Sequence, residues 1–172
     1  MLQQTQVKTV IPYFNKFIEN FKTLQILSKS KEREILKLWE GLGYYRRARN
    51  LLATSKILVQ KYNSKLPFEI KEIKKLPGIG DYTANALFGL VHNRPTIAVD
   101  GNVKRIFARI LNKEVSKVNF DKLLQINKKK LFSSNRNSNF VEALMEFGAL
   151  VCHIRTPRAR WLRPSVAPMP SR

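Results

Sequence analysis

Only one cysteine, Cys152, occurs in the 172 residues, and acidic residues are scarce, with twelve Asp and Glu against thirty-two Lys and Arg. A single thiol excludes an internal disulfide. No apolar run approaches the roughly 18 residues a membrane span needs. The N-terminus also lacks the basic-then-apolar layout of a signal peptide. These features predict a cytoplasmic protein, nucleoid-associated if the source is a bacterium, with no membrane partner. The shortage of acids leaves a formal charge of +20 and a pI near 10.4. Such a balance is the electrostatic footprint of a protein that meets a polyanion, with steeply salt-dependent phosphate affinity. Part of the excess, in residues 71–75 and 128–130, equally fits a lysine-rich solvated surface. No alternating strand pattern and no internal repeat is present. With 44% hydrophobic residues the chain can bury a core, as one compact domain or two small lobes.

What is abundant is apolar spacing of helical period, and it predicts an all-α architecture. Val7, Val10, Ile11, Phe14, Phe17, Ile18 and Phe21 form one stripe, with Pro12 inside it as a kink or boundary. Ile35, Leu38, Trp39 and Leu42 form a second. After the Gly41-Leu42-Gly43 break, Leu51, Leu52, Ser55, Leu58 and Val59 form a third, ended by Leu66-Pro67. Ala84, Leu87, Phe88 and Val91 make a further helix that leaves through Asn93-Arg94-Pro95, and Val103, Ile106, Phe107 and Ile110 begin another. Phe120, Leu123 and Leu124, then Phe140, Ala143, Leu144, Phe147, Leu150 and Val151, supply two more. Residues 153–172 break the pattern with five arginines, four prolines and no acid, the composition of an irregular or disordered basic tail.

Two short stretches carry chemistry. In Leu76-Pro77-Gly78-Ile79-Gly80-Asp81-Tyr82-Thr83-Ala84, Pro77 stops the Ile70/Ile73/Leu76 pattern. The glycines tolerate positive φ and let another backbone come close. The stretch reads as a helix-hairpin-helix turn whose backbone N–H groups face a DNA phosphate at a helix start. An ordinary Pro-Gly turn between helices is the alternative. In Val99-Asp100-Gly101-Asn102-Val103-Lys104-Arg105, Asp100 is either an acid facing a base as it leaves its sugar or the N-cap of the following helix. One residue can do both.

Together with Met1-Leu2-Gln3-Gln4-Thr5-Gln6-Val7 and Gly41-Leu42-Gly43-Tyr44-Tyr45-Arg46-Arg47-Ala48-Arg49-Asn50, these stretches stand in the order and approximate spacing of one family. The chain resembles the adenine DNA glycosylases of the helix-hairpin-helix base-excision superfamily over residues 1 to about 152. The resemblance implies the helix-hairpin-helix glycosylase fold, incomplete at the N-terminus. It implies a helical barrel with the hairpin over residues 1–112, a helical remainder of the second lobe over 113–152, and the basic tail over 153–172. The implied activity is hydrolysis of the N-glycosidic bond of adenine mispaired with 8-oxoguanine or guanine, by a monomer acting on double-stranded DNA.

A duplex hides that bond, so the nucleotide must be extruded and the gap filled. The resemblance gives this task to Gln3, Gln4, Thr5 and Tyr44, which taken alone read as a solvated helix turn and a core tyrosine. It gives the DNA backbone to Leu76, Gly78, Gly80 and Lys104, although Lys104 could also serve as a surface contact or trap an abasic product adventitiously. Loss of adenine leaves an oxocarbenium-like sugar that a carboxylate stabilises electrostatically. The resemblance puts Asp100 in that role with Asn102 holding the site. It sets Glu142 at an adenine edge, where the residue by itself reads as an acid on the outer side of an amphipathic helix. Tyr82 occupies the position where endonuclease III-like members carry a Schiff-base lysine. A tyrosine cannot form that adduct, so a monofunctional glycosylase with water as nucleophile is expected, with Tyr82 near the reacting sugar.

Departures from the family pattern qualify the expectation. The family's general acid is a glutamate two residues before the position of Met1, and no acid here precedes Glu19. Loss of a general acid forfeits about 10²–10⁴-fold in rate, so impaired activity is expected of this chain. The family's [4Fe–4S] cluster takes four cysteines, the first at Cys152 and the rest within about seventeen residues, where this chain has none. The cluster is therefore expected to be lost, and no metal site is assigned. The family's C-terminal domain that recognises 8-oxoguanine is expected to be lacking too. Three alternatives stand beside the enzymatic reading: a catalytically inactive DNA-binding remnant, a thymine-mismatch glycosylase, and a helical scaffold whose charge serves only solubility.

Overall fold

The computed structural model describes residues 1–132 and 136–153, and within them secondary structure is helical throughout. The expected tail, from residue 154 onward, lies outside the described residues. The chain divides into two compact units, Met1–Gly80 and Asp81–Arg172. This division falls inside the hairpin motif, at a different place from the 112/113 boundary expected from sequence. The change of unit comes where exposed Gly80 hands the chain to a new helix.

The first unit contains α1 (Val7–Asn20), α2 (Leu24–Lys29), α3 (Glu32–Leu38), α4 (Arg46–Lys61) and the single turn α5 (Ile70–Ile73). α4 packs against α2 and α3, and α1 packs against α3. Their shared core holds Val10, Phe17, Leu27, Ile35, Trp39, Leu42, Ala48 and Leu52. Trp39 is its largest fully buried side chain and takes an edge-on contact from Phe17, with ring centroids 6.2 Å apart. Its indole Nε1–H is satisfied by the Gly43 carbonyl at 3.0 Å, as a buried indole requires. α2 was not anticipated from sequence. It is opened by Thr23, whose hydroxyl accepts from the Ile26 N–H at 3.2 Å.

Three local expectations are corrected here. Pro12 is not a boundary, because α1 runs through it. Pro12 and Lys8 are both exposed, on the side of α1 where the hydrogen bond a proline cannot donate is lost. Within the first stripe, Val10 and Phe17 are buried but Val7, Ile11, Phe14 and Ile18 are exposed. The helical period was right, yet the apolar arc is wider than the face that α3 covers. α4 ends at Lys61 rather than at Leu66-Pro67, because Asn63 and Ser64 adopt φ of 48° and 61°, left-handed values that stop a helix.

The second unit contains α6 (Asp81–Leu90), α7 (Gly101–Ile110), a 3-10 turn (Val115–Lys117), α8 (Phe120–Leu131) and α9 (Asn137–Leu150). α9 packs on both α6 and α7. Val103, Ile106, Val141 and Cys152 are fully buried there. No helix among the described residues is long and apolar enough to cross a membrane.

Candidate nucleic-acid interface and active site

In the first unit, Leu76–Gly80 forms the turn that follows α5. The Leu76 N–H donates to the Ile73 carbonyl and the Ile79 N–H to the Leu76 carbonyl, at 3.1 and 3.2 Å. Gly78 has φ of +75°, and a Cβ there would collide with the Asn50 side chain. This position therefore requires glycine both for its conformation and for the close approach of α4. Gly80 meets neither condition, since its φ is not positive and no atom lies within 4 Å of where a Cβ would stand. The expectation that both glycines supply positive φ is corrected accordingly. α4 supports the turn a second time through the Thr54 hydroxyl, which donates to the Pro77 carbonyl at 3.2 Å. The Leu76 side chain is buried, so it anchors the turn.

Gln3, Gln4, Thr5 and Tyr44 come together at one edge of the same unit. Tyr44 is 61% exposed, which overturns the alternative that it is a core residue. Gln4 and Tyr44 have φ of 56° and 50°, a conformation uncommon for residues other than glycine. Arg47, in the first turn of α4, joins the two segments. Its Nη1 donates to the carbonyls of Met1 and Gln3, the latter at 2.6 Å, and to the Thr5 hydroxyl at 2.9 Å. Its Nη2 donates to the Gly43 carbonyl at 3.2 Å. The guanidinium carbon stands 5.6 Å from the Trp39 ring centroid and 5.3 Å from that of Tyr44. Desolvation holds the Arg47 pKa below the ordinary arginine value, opposed by the Tyr44 hydroxyl.

In the second unit Asp100 is the N-cap of α7. Its Oδ1 accepts from the Val103 N–H at 2.8 Å, and its Oδ2 accepts from Asn102 Nδ2 at 3.2 Å. The Asn102 side-chain Oδ1 accepts in turn from Arg105 Nη2 at 2.9 Å. Arg105 is buried and donates also to the carbonyls of Gly148 and Cys152, at 2.8 and 2.7 Å. α7 and α9 approach closely where Gly148 faces Asn102. The carboxylate orientation is thus fixed on both oxygens before any ligand arrives. Tyr82, in the first turn of α6, is 37% exposed. Burial and then the negative charge of Asp100 raise the pKa of its hydroxyl.

Other expected site residues sit elsewhere in this unit. Glu142 is exposed on α9. Lys104 is exposed on α7, its ammonium 5.8 Å from the Phe120 ring centroid. Tyr82 also lines a cleft of about 490 Å³ with Asn85, Thr96, Asp121, Gln125 and Lys128. Asp100 is not itself among the residues that line that cleft.

Residues 1–130 match the HhH-GPD superfamily base excision DNA repair protein family. The chain belongs to this superfamily. As an HhH-GPD protein it is 44% identical over 158 residues to the adenine DNA glycosylase of Buchnera aphidicola subsp. Baizongia pistaciae, covering 92% of this chain and 45% of that protein. It is 36% identical over 160 residues to the human adenine DNA glycosylase, covering 91% and 29%. The chain thus spans less than half the length of these relatives. Among solved structures it resembles a thermostable thymine-DNA glycosylase, with a TM-score of 0.77 and 25% identity over 91% of this chain and 73% of that one. The fold also matches a non-covalent endonuclease III–DNA complex, with a TM-score of 0.74 and 24% identity over 94% and 76%.

The iron–sulfur cluster implied by the resemblance does not fit the residues present. The chain holds one cysteine, and four thiolates are needed. Cys152 is fully buried, and its Sγ accepts from Arg109 Nη1 at 3.1 Å. Among the described residues, no group of three or more His, Cys, Asp or Glu is placed to hold a metal ion.

Sequence reasoning missed Arg47, Arg105 and Gly148 in this HhH-GPD chain. Arg47 did carry a signal, since it follows the Gly-Tyr-Tyr turn by two residues. Arg105 lies one helical turn beyond Asn102, on the same side of α7.

Proposed function

We propose that this chain is a monofunctional DNA N-glycosylase of base excision repair that removes adenine paired with 8-oxoguanine or guanine in double-stranded DNA. The observation that carries the reading is the Asp100 carboxylate, held on both oxygens as the N-cap of α7, with its charge acting on the hydroxyl of Tyr82 in the first turn of α6, the second helix of the helix-hairpin-helix motif. Similarity to adenine DNA glycosylases over nine-tenths of the chain supports adenine as the base.

The chemistry divides among this chain's own residues. The turn at 76–80 meets the phosphate backbone with its main chain, and Lys104 adds a positive charge. The edge formed by Gln3, Gln4, Thr5 and Tyr44 fills the gap left by the extruded nucleotide, with amides reading base edges and an aromatic ring stacking. Asp100 stabilises the positive charge that develops on the sugar as the bond to adenine breaks, and water then adds to the sugar. Asn102 fixes the Asp100 carboxylate, and Glu142 contacts the adenine edge. Tyr82 borders the sugar and offers no amine, so the strand stays intact. The protein works as a monomer without an iron–sulfur cluster, Cys152 serving as a packed hydrogen-bond acceptor.

The test is single-turnover release of adenine from a duplex with adenine opposite 8-oxoguanine, beside a duplex with thymine opposite guanine. It is run on this chain and on one carrying a glutamate two residues before Met1. Adenine release by either form supports the proposal. Release of thymine alone, or duplex binding with no base released by either form, overturns it, the latter leaving a DNA-binding protein.

A further inference from the structure

We infer that Arg47 is a positioning residue for lesion recognition: it sets Gln4 and Tyr44 in left-handed conformations before DNA binds. This inference rests on the reading of the Gln4 and Tyr44 edge given under Proposed function. Rotation of the 3–4 peptide plane changes φ of Gln4, and rotation of the 43–44 plane changes φ of Tyr44. Arg47 takes the carbonyl oxygen of each of these two planes, Gln3 O on one terminal nitrogen and Gly43 O on the other. Residues in sparsely populated backbone regions cost about 1–3 kcal/mol each and persist only where their surroundings over-determine them. Here a single guanidinium supplies that constraint to both segments.

The geometry demands arginine. A planar fork with separated terminal nitrogens can bond two carbonyls that belong to different segments, and its face can lie against Trp39 and Tyr44 as well. A lysine ammonium carries three donors at one point and cannot span both carbonyls. Arg47 Nε is buried and makes no hydrogen bond among the described residues, so its binding capacity is concentrated on the two terminal nitrogens. Exposed Gln3, Gln4 and Tyr44 are thereby presented to a duplex without ordering them at the moment of binding, which is where preorganisation yields affinity. Because the undamaged duplex is gripped through its phosphates, the effect falls on the preference for the lesion.

The experiment compares the wild-type chain with Arg47→Lys, Arg47→Met and, as a control, Arg46→Lys at the exposed neighbouring position. Two readouts are taken. Amide hydrogen exchange of the free protein is followed in residues 2–6 and 42–46, and duplex affinity is measured with adenine opposite 8-oxoguanine and with an undamaged duplex. Arg47→Lys is expected to speed exchange in both segments together. It is expected to lower the ratio of lesion to undamaged affinity by about tenfold, since two side chains must then be ordered on binding, each costing about several-fold in affinity. Arg46→Lys should do neither. Unchanged exchange in either segment for Arg47→Lys, or an unchanged affinity ratio where wild type prefers the lesion, overturns the inference. Faster exchange in both segments with no lesion preference in wild type leaves the clamp standing and overturns its role in lesion recognition, while adenine release decides the proposed function separately. Arg47→Lys keeps the charge and stem, so it answers the question even if Arg47→Met does not fold.

Discussion

Replacing Gly148 with alanine tests the packing that holds the candidate catalytic acid. A Cβ at Gly148 would stand 2.7 Å from Asn102 Cβ and 3.3 Å from Ile106 Cδ1. The first of these atoms is bound directly to the α7 backbone, so no side-chain rotation relieves the overlap and α7 must move away from α9. Overpacking of this kind costs about 1–3 kcal/mol. Against it runs the gain from replacing glycine by alanine in a helix, about 0.8–1 kcal/mol. Gly89 supplies a matched control. It too lies in the last turn of its helix, and a Cβ there would meet Val141 Cγ2 at 3.1 Å and the Thr96 carbonyl at 3.3 Å, distances that a methyl and a loop can yield. The backbone gain then cancels between the two variants. Gly148→Ala should be less stable than Gly89→Ala by about 1–3 kcal/mol, or about 2–12 °C in Tm for a domain of this size. Urea and thermal unfolding of both variants measure this difference directly. Adenine release should fall in Gly148→Ala, because Asn102 carries the bond to Asp100 Oδ2. Equal stability of the two variants, or a more stable Gly148→Ala, would refute the close helix contact and with it the rigid support of the carboxylate.

Two further predictions concern charge at the same site. Asp100→Asn keeps the cap to the Val103 N–H but removes the negative charge and sets an amide donor against Asn102 Nδ2, so stability should fall by about one hydrogen bond, about 0.5–1.5 kcal/mol. Adenine release should fall by about 10²–10³-fold, the usual cost of losing one preorganised electrostatic contact; a stability loss that accounts for the activity loss would reduce Asp100 to a cap. Tyr82 has its pKa raised by burial and by Asp100, so its favourable state is the neutral hydroxyl. That contribution to stability is fully present below the unfolded tyrosine value near 10 and is lost as pH rises through the higher folded value. Tyrosinate absorbance titrations of wild type and Tyr82→Phe should differ by one ionisation, later than that of an ordinary tyrosine; an earlier one contradicts the placement beside Asp100.

Helical period carried the element count well but not the environment of each face. The spacing of Ile35, Leu38, Trp39 and Leu42 led to a buried face, and Ile35, Trp39 and Leu42 are buried while Leu38 is half-buried. The same period in α1 carried no information about which neighbour would cover Val7, Ile11, Phe14 and Ile18, and α3 reaches only part of that arc. Pro12 is legible as a lost donor, while its place on the exposed side of α1 is revealed only by the packed helix. Local capping rules read more deeply. Asp100 before an apolar run was recognisable as an N-cap, and the structure shows that bond to Val103.

Arg105 and Gly148 escaped for a different reason, because they meet across more than forty residues, Arg105 in α7 bonding to the main chain of Gly148 in α9 and of Cys152. A buried arginine bonded to two main-chain carbonyls looks in sequence like any other member of a basic chain. Arg47 is the sharper case. Its role comes from two segments separated by about forty residues, each holding a left-handed residue that no propensity would place there. Charge in this chain therefore has two functions that composition cannot separate: an exposed excess suited to phosphate, and a few arginines turned inward to fix backbone that would otherwise relax.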